Sequence, residues 1–177
     1  MKICQTTHSE TRNLVYMISE AVEELKAELK KADGGSLHPA SEDDIEQARQ
    51  FGFPDVLIDF YRENAPDATD GRVELDQRIW SVQNAMTENR DYVPGADLFP
   101  LGYVVFASNK FGDAYCIDTV HVGSSGKYSV VLFPHDVIED GASLEDVERY
   151  RLTVATNLED FLRQFARRLL VEKAKYD

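Results

Sequence analysis

The sequence contains only two cysteines, Cys4 and Cys116, and neither has a second cysteine nearby in the chain. Disulfide-rich secreted domains and structural zinc sites use several closely spaced cysteines. The sequence therefore predicts neither a disulfide framework nor a cysteine zinc site. We expect both side chains to be reduced thiols.

Long apolar runs are also missing. No window approaches the roughly 18 consecutive apolar residues that a membrane span requires. Residues 1–8 contain no apolar run that is typical of a signal peptide. These absences predict a cytoplasmic protein without a membrane partner.

Basic residues are scarce as well, with 19 lysines and arginines against 32 aspartates and glutamates and a formal net charge of −13. Such a field repels nucleic-acid phosphates, so we expect no direct binding of DNA or RNA. It speeds the encounter with a cationic protein. The alternative is that the charge serves solubility alone.

Hydrophobic residues make up 43% of the 177 positions, which is enough for one domain with its own core. Apolar residues at helical spacing predict helices over 14–31 and 158–170. Ser41 with Asp44, then Gly52 and Pro54, predict a helix–corner–helix over 41–64. The predicted capping residues of the last helix are Thr156 and Glu159.

Between these helices the apolar residues follow strand patterns. Val73 and Leu75 alternate with charged residues, and Ile79 with Val82 predicts a second short strand. Residues 101–107 form a dense β-branched and aromatic run that is typical of a central strand. A turn at 109–112 predicts a hairpin with residues 113–118, followed by a strand over 128–133.

Helices before and after a run of strands predict an α+β fold. We expect a single domain over residues 1–177, with a mostly antiparallel central sheet packed by N-terminal and C-terminal helices. Residues 1–40 would form the N-terminal helix and its connector, and residues 41–170 the core.

Three segments in this order resemble the SUKH superfamily, which groups bacterial immunity proteins with fungal cell-wall assembly regulators. They are FGFPDVLIDFY at 51–61, FASNKFGDAYCID at 106–118 and ATNLEDFL at 155–162. The resemblance covers about residues 41–170 and implies a sheet wrapped by helices. It also implies toxin neutralisation in bacteria, or a regulatory scaffold in fungi.

Two groups of carboxylates are the candidate partner-binding surfaces. The first lies in a segment without lysine or arginine, and the second follows a polar turn. The first group is Asp136, Glu139, Asp140, Glu145, Asp146 and Glu148, and the second is Asp67, Asp70, Glu74 and Asp76. A solvated surface loop has the same composition, so this alternative stays open.

Catalytic and metal chemistry is weakly signalled. The histidines, at positions 8, 38, 121 and 135, lack metal-ligand spacing, so any metal site would have to be assembled by the fold from distant pieces. We therefore expect no metal, no cofactor and no catalytic residue. His135 with Asp136 is the alternative acid–base pair of a small hydrolase, and it predicts a deep polar pocket beside the strand at 128–133. We expect Cys116 to be a buried apolar side chain, and Asp113 and Asp118 to serve the turn and the solvent.

The sequence thus predicts a protein-binding module rather than an enzyme. The leading hypothesis is an immunity protein that occludes the active site of a cognate toxin, such as a basic nuclease. The alternatives are a regulatory scaffold of the cell-wall assembly type and the small hydrolase.

Overall fold

The computed structural model describes residues 8–123, 126–138 and 140–170, with side chains from residue 20 onward. The helices are α1 (His8–Ala32), α2 (Glu42–Phe51), α3 (Asp55–Asn64), α4 (Val82–Asp91), α5 (Gly95–Leu98), a 3-10 turn (Phe99–Leu101), α6 (Leu144–Glu148) and α7 (Leu158–Ala166). The strands are β1 (Leu37–His38), β2 (Ala65–Pro66), β3 (Arg72–Glu74), β4 (Gln77–Trp80), β5 (Tyr103–Asn109), β6 (Ala114–Asp118), β7 (Val130–Phe133) and β8 (Leu152–Ala155).

The central sheet is an antiparallel meander of six strands in the order β3-β4-β5-β6-β7-β8. Each strand pairs with its neighbour in the chain, as in the registers Val105↔Cys116 and Tyr115↔Leu132. Strands β1 and β2 form a separate two-stranded sheet. The predicted α+β fold with an antiparallel sheet is confirmed.

The three central strands are buried on both faces, and their side chains alternate between two apolar clusters. On the helical face, Phe161 of α7 packs edge-on against Phe106 and Tyr115, with ring centroids 5.0 and 5.2 Å apart. Helices α1 to α4 contribute to the same cluster. On the second face lie Tyr103, Val105, Ala114, Cys116, Val131 and Phe133. The prediction that Cys116 is a buried apolar side chain is therefore confirmed.

The helix–corner–helix is confirmed by its capping contacts. The Ser41 hydroxyl accepts a hydrogen bond from the Asp44 amide at 3.1 Å, which satisfies a free donor of the first turn of α2. Gly52 has φ 108°, a conformation that favours glycine, and its amide donates to the carbonyls of Ala48 and Arg49. Helix α3 then begins at Asp55, directly after Pro54.

Two local predictions were wrong, because other residues cap the helices concerned. Helix α7 is capped by Asn157, whose side chain accepts from the Asp160 amide at 2.9 Å, and not by Thr156 with Glu159. Val82 lies in the first turn of α4 rather than in a strand, because Ser81 caps that helix. Strands β1, β2 and β8, of two to four residues, had no signal in the sequence.

Among the described residues, no helix combines the length and the apolarity needed to span a membrane.

Candidate functional site

The acidic segment, residues 136–148, connects β7 to β8 and packs on the second face of the sheet. Ile138 is 7% exposed and Val147 is fully buried in the apolar cluster of this face. Val137, Ala142 and Tyr150 pack against the same cluster. The segment is therefore anchored to the core by apolar side chains, which a freely solvated loop would lack.

Four carboxylates of this segment are exposed. Asp136 and Asp140 lie in turns, and Glu145 and Asp146 lie in the first turn of α6. Asp140 and Asp146 line one cavity of about 330 Å³ together with Arg149. Glu139 lies outside the described residues.

Ser143 and Asp146 form a reciprocal capping box at the start of α6. The Ser143 side chain accepts from the Asp146 amide, and the Ser143 amide donates to the Asp146 carboxylate at 3.1 Å. Hydrogen bonds from the Ser143 hydroxyl and amide lower the pKa of Asp146 below its usual value. The carboxylate is thus held in position and ionised.

Glu148 differs from the other acidic residues of the segment because it points inward. It accepts a hydrogen bond from the hydroxyl of Tyr103, and it lies 3.8 Å from Nδ1 of His121. Burial, followed by the hydrogen bond to Glu148, raises the pKa of Tyr103. The geometry gives Glu148 a structural contact, although its side chain remains partly exposed.

The buried partner of this contact network is Asp118. Its carboxylate accepts from the backbone amides of Val120 and His121 at 3.0 and 2.9 Å and from the guanidinium of Arg151 at 3.0 Å. Asp118 and Asp113 are both fully buried. The prediction that they serve the solvent was wrong, because each aspartate accepts hydrogen bonds from its own turn and its neighbours.

The second acidic group lies beside β3, at the opposite edge of the sheet from β8. Glu74 contacts the Arg72 and Arg78 guanidinium groups at 2.8 and 3.1 Å. Burial opposes its ionisation, but these two hydrogen bonds bring the pKa of Glu74 below its usual value. The negative charge of Glu74 is therefore already neutralised by basic side chains of the chain itself.

The other members of this group have different environments. The Asp67 carboxylate accepts from the Thr69 amide at 2.7 Å, which lowers its pKa. Asp76 lies 4.0 Å from Arg168, and Asp70 is exposed. Strand β3 is an edge strand, whereas the acidic segment packs over the second face of β5, β6 and β7. The two acidic groups are distinct surfaces.

A third acidic surface had not been singled out from the sequence. Helices α2 and α3 expose Glu42, Asp43, Asp55 and Glu63, and none of these lies within ion-pair distance of a lysine or arginine in the described part of the chain. Asp55 also lines a cavity of about 330 Å³ with Tyr128 and the buried Glu159. The helix dipole favours acidic residues in the first turn of a helix. It therefore accounts for the positions of several of these residues without a binding partner.

The residues of the hydrolase alternative do not assemble as a nucleophile with a base. His135 is exposed, and its Nδ1 lies 3.0 Å from Oδ1 of Asp113. Cys116 is fully buried, and burial raises the pKa of its thiol well above its usual value, which disfavours a thiolate nucleophile. His135 lines none of the four cavities described for the molecule.

An antiparallel sheet packed by helices is the architecture that the resemblance to the SUKH superfamily implied. The family model for the SMI1 / KNR4 family (SUKH-1) matches residues 23–164, most of the chain. The chain therefore belongs to this family. A comparison with curated proteins found no significant match.

Proposed function

We propose that this protein binds a cationic protein through the outward carboxylates of the acidic segment, and that it acts as an immunity protein. The family membership supports a protein partner. The partner would be a toxin domain with a basic active site, such as a nuclease, and the bound protein would occlude that site without catalysing a reaction.

The observation that carries this proposal is the anchoring of the acidic segment. Ile138 and Val147 are buried in the core, and the capping box fixes Asp146. Exposed carboxylates on a fixed backbone bind basic side chains with a smaller loss of conformational entropy than those of a mobile loop. The exposed carboxylates to which this applies are Asp136, Asp140, Glu145 and Asp146.

The acidic group beside β3 is the weaker surface for the same role. Glu74 is paired with two arginines, and Asp76 lies near Arg168. A partner would have to compete with these internal cations. The two arginines lie closer to Glu74, at 2.8 and 3.1 Å, than Arg149 lies to Glu145 and Asp146, at 3.6 and 3.9 Å. This difference supplies a matched control.

The test uses the product of the adjacent gene, which the proposal expects to be the toxin, with association measured by surface plasmon resonance. The variant Asp140→Lys/Glu145→Lys and the control Asp70→Lys/Asp76→Lys change the net charge by the same amount. We expect the first variant to slow association tenfold or more at low salt, with a smaller loss at about 300 mM salt, because complementary charges chiefly set the association rate. The control should lose much less.

Equal losses in the two variants would contradict the use of the acidic segment. Absence of any complex at low salt, or death of cells that co-express the toxin and this protein, would contradict the immunity function. A complex with a protein other than a toxin would favour the regulatory scaffold alternative, which shares the same fold.

A further inference from the structure

The sheet brings together three metal-ligating side chains that are separated in the sequence. Asp113 follows the tight turn between β5 and β6, while His135 and Asp136 follow the end of β7. Because Ala114 pairs with Phe133, the start of β6 and the end of β7 lie side by side. One ligand atom from each of the three side chains lies within 4.8 Å of those of the other two.

Asp113 is the buried member of this cluster. Its carboxylate accepts from the Asn109 side-chain amide at 2.9 Å and from the His135 backbone amide at 3.2 Å. Within the described part of the chain, no lysine or arginine lies within ion-pair distance of Asp113. A buried carboxylate is usually paired with a cation or a metal ion.

The contact between Asp113 and His135 requires either a proton or a metal ion between the two atoms. Oδ1 of Asp113 and Nδ1 of His135 lie 3.0 Å apart, and each carries a lone pair unless the imidazole nitrogen is protonated. A proton on Nδ1 satisfies this contact, and so does a metal ion bound to both atoms. Two ligands about 2.1 Å from a zinc ion are about 3.0 Å apart at 90° and about 3.4 Å at the tetrahedral angle.

A second contact between a histidine and a buried aspartate in this molecule already includes a positively charged side chain. His121 also lies between two carboxylates, 3.3 Å from Asp118 and 3.8 Å from Glu148. There the Arg151 guanidinium contacts Asp118 and supplies the positive charge. Among the residues that the structure describes, the basic side chain in contact with Asp113 is His135 itself, and the exposed carboxylate of Asp136 stands beside it.

We propose that Asp113, His135 and Asp136 bind a divalent transition-metal ion of the zinc type. One imidazole nitrogen and two carboxylate oxygens form a mixed nitrogen and oxygen ligand set that such ions prefer, and water completes the coordination. The buried Asp113 and the backbone of the β5–β6 turn fix one ligand, and the exposed Asp136 has the freedom to close on the ion. The site joins the β5–β6 turn to the end of β7.

The experiment titrates Zn²⁺ alone into the full chain, freed of purification tags and chelators, by isothermal calorimetry. We expect saturable binding of one ion per chain. Asp136→Asn should weaken binding about tenfold or more, in line with the effects seen when the ligand environment of a metal is changed. Because Asp136 is exposed, this variant should keep the fold.

His135→Asn should abolish the site, and His121→Asn should leave it unchanged. The ring ¹⁵N signals of His135 give a second readout: Zn²⁺ should move the proton from Nδ1 to Nε2, because the metal replaces the proton that faces Asp113. Binding that is equal in the wild type, Asp136→Asn and His135→Asn, or no saturable binding at all, would overturn the proposal. In that case the Nδ1 proton alone satisfies Asp113.

Discussion

Asp118 connects two strands on the second face of the sheet through a buried carboxylate. It is fully buried at the end of β6, yet it contacts the guanidinium of Arg151, which precedes β8. Burial penalises its charged form, but the His121 amide and Arg151 together hold the pKa of Asp118 below its usual value. The ionised carboxylate therefore links two strands that are not neighbours in the sheet.

Replacing Asp118 by asparagine keeps the shape of the side chain and removes its charge. We expect a loss of about 2–3 kcal/mol in the free energy of unfolding, because the largely buried Arg151 loses its partner. Urea denaturation provides the measurement. The control is Asp91→Asn, since Asp91 also contacts an arginine but is exposed, and it should change stability little. Similar losses in the two variants would argue against a special role for the buried pair.

The same carboxylate predicts a pH dependence. A group whose pKa is lower in the folded state stabilises the fold fully above its unfolded value, about 3.9 for aspartate. This contribution is lost as the pH falls through the lowered folded pKa. Below about pH 4, the stability of Asp118→Asn should therefore fall less steeply with decreasing pH than that of the wild type. Parallel pH profiles from acid titrations followed by circular dichroism would contradict the assignment.

At the scale of elements, helix α6 is short and depends on its cap. Ser143 and Asp146 exchange hydrogen bonds at its first turn, and Val147 is its buried anchor. A five-residue helix has little stability of its own, so the cap and the anchor maintain it. This arrangement holds Glu145 and Asp146, in the first turn of α6, in one backbone conformation.

Ser143→Ala should remove the cap of α6 and lower the stability by about 1 kcal/mol. It should also speed amide exchange at Asp146, whose N–H donates to the Ser143 hydroxyl, and at Val147 in the same turn, whose N–H donates to the Ser143 carbonyl. Ser41→Ala removes the analogous cap of α2 and should lower stability by a similar amount without changing exchange in α6. Hydrogen exchange measured by NMR distinguishes the two variants, and unchanged protection in Ser143→Ala would mean that the cap does not hold the segment.

The sequence predicted the elements whose residues carry a local signal. The cap at Ser41, the glycine at position 52 and the unbroken apolar run of β5 each specify structure within a few residues. Strand β8 had no such signal, because only its pairing with β7 makes it a strand. The role of Asn89 also had no signal in the sequence. Its side-chain amide donates to the carbonyl of Val105 and accepts from the N–H of Val105, as a neighbouring strand would.

The sequence showed where acidic residues are concentrated, but it did not show which of them face solvent and which contact other side chains. Counting acidic residues placed Glu148 with Asp140 and Glu145, but only the fold shows that Glu148 meets Tyr103 while the other two face solvent. Likewise, His135 and Asp136 were read as a pair because they are adjacent. The hydrogen-bonding partner of His135 is Asp113, 22 residues away, which strand pairing alone brings close.

At the scale of the whole molecule, the negative charge exceeds what internal ion pairs neutralise. With 32 acidic and 19 basic side chains, 13 carboxylates lack a basic counterpart. Exposed carboxylates occur on α2, on α3, beside β3 and on the acidic segment. Their mutual repulsion disfavours the compact state.

Salt should therefore stabilise the isolated protein at neutral pH. Raising NaCl from about 20 mM to about 300 mM shortens the range of repulsion, and we expect Tm to rise by a few degrees, about 1 kcal/mol for a chain of this size. Near pH 4.7, where the net charge approaches zero, the rise should vanish. Differential scanning calorimetry measures both. A lower Tm in salt at neutral pH would show that ion pairs outweigh the repulsion.

Helices α1 and α7 pack against each other, with the Arg167 guanidinium 2.7 Å from the Glu24 carboxylate. During synthesis, the apolar stripe of α1 leaves the ribosome long before α7 exists. More than a hundred residues separate them, so at about 5–20 residues per second the stripe remains uncovered by α7 for about 6–25 s. Over that interval Val22, Leu25 and Leu29 are available to chaperones, so the nascent chain should be retained by an apolar-binding chaperone until its last helix is made.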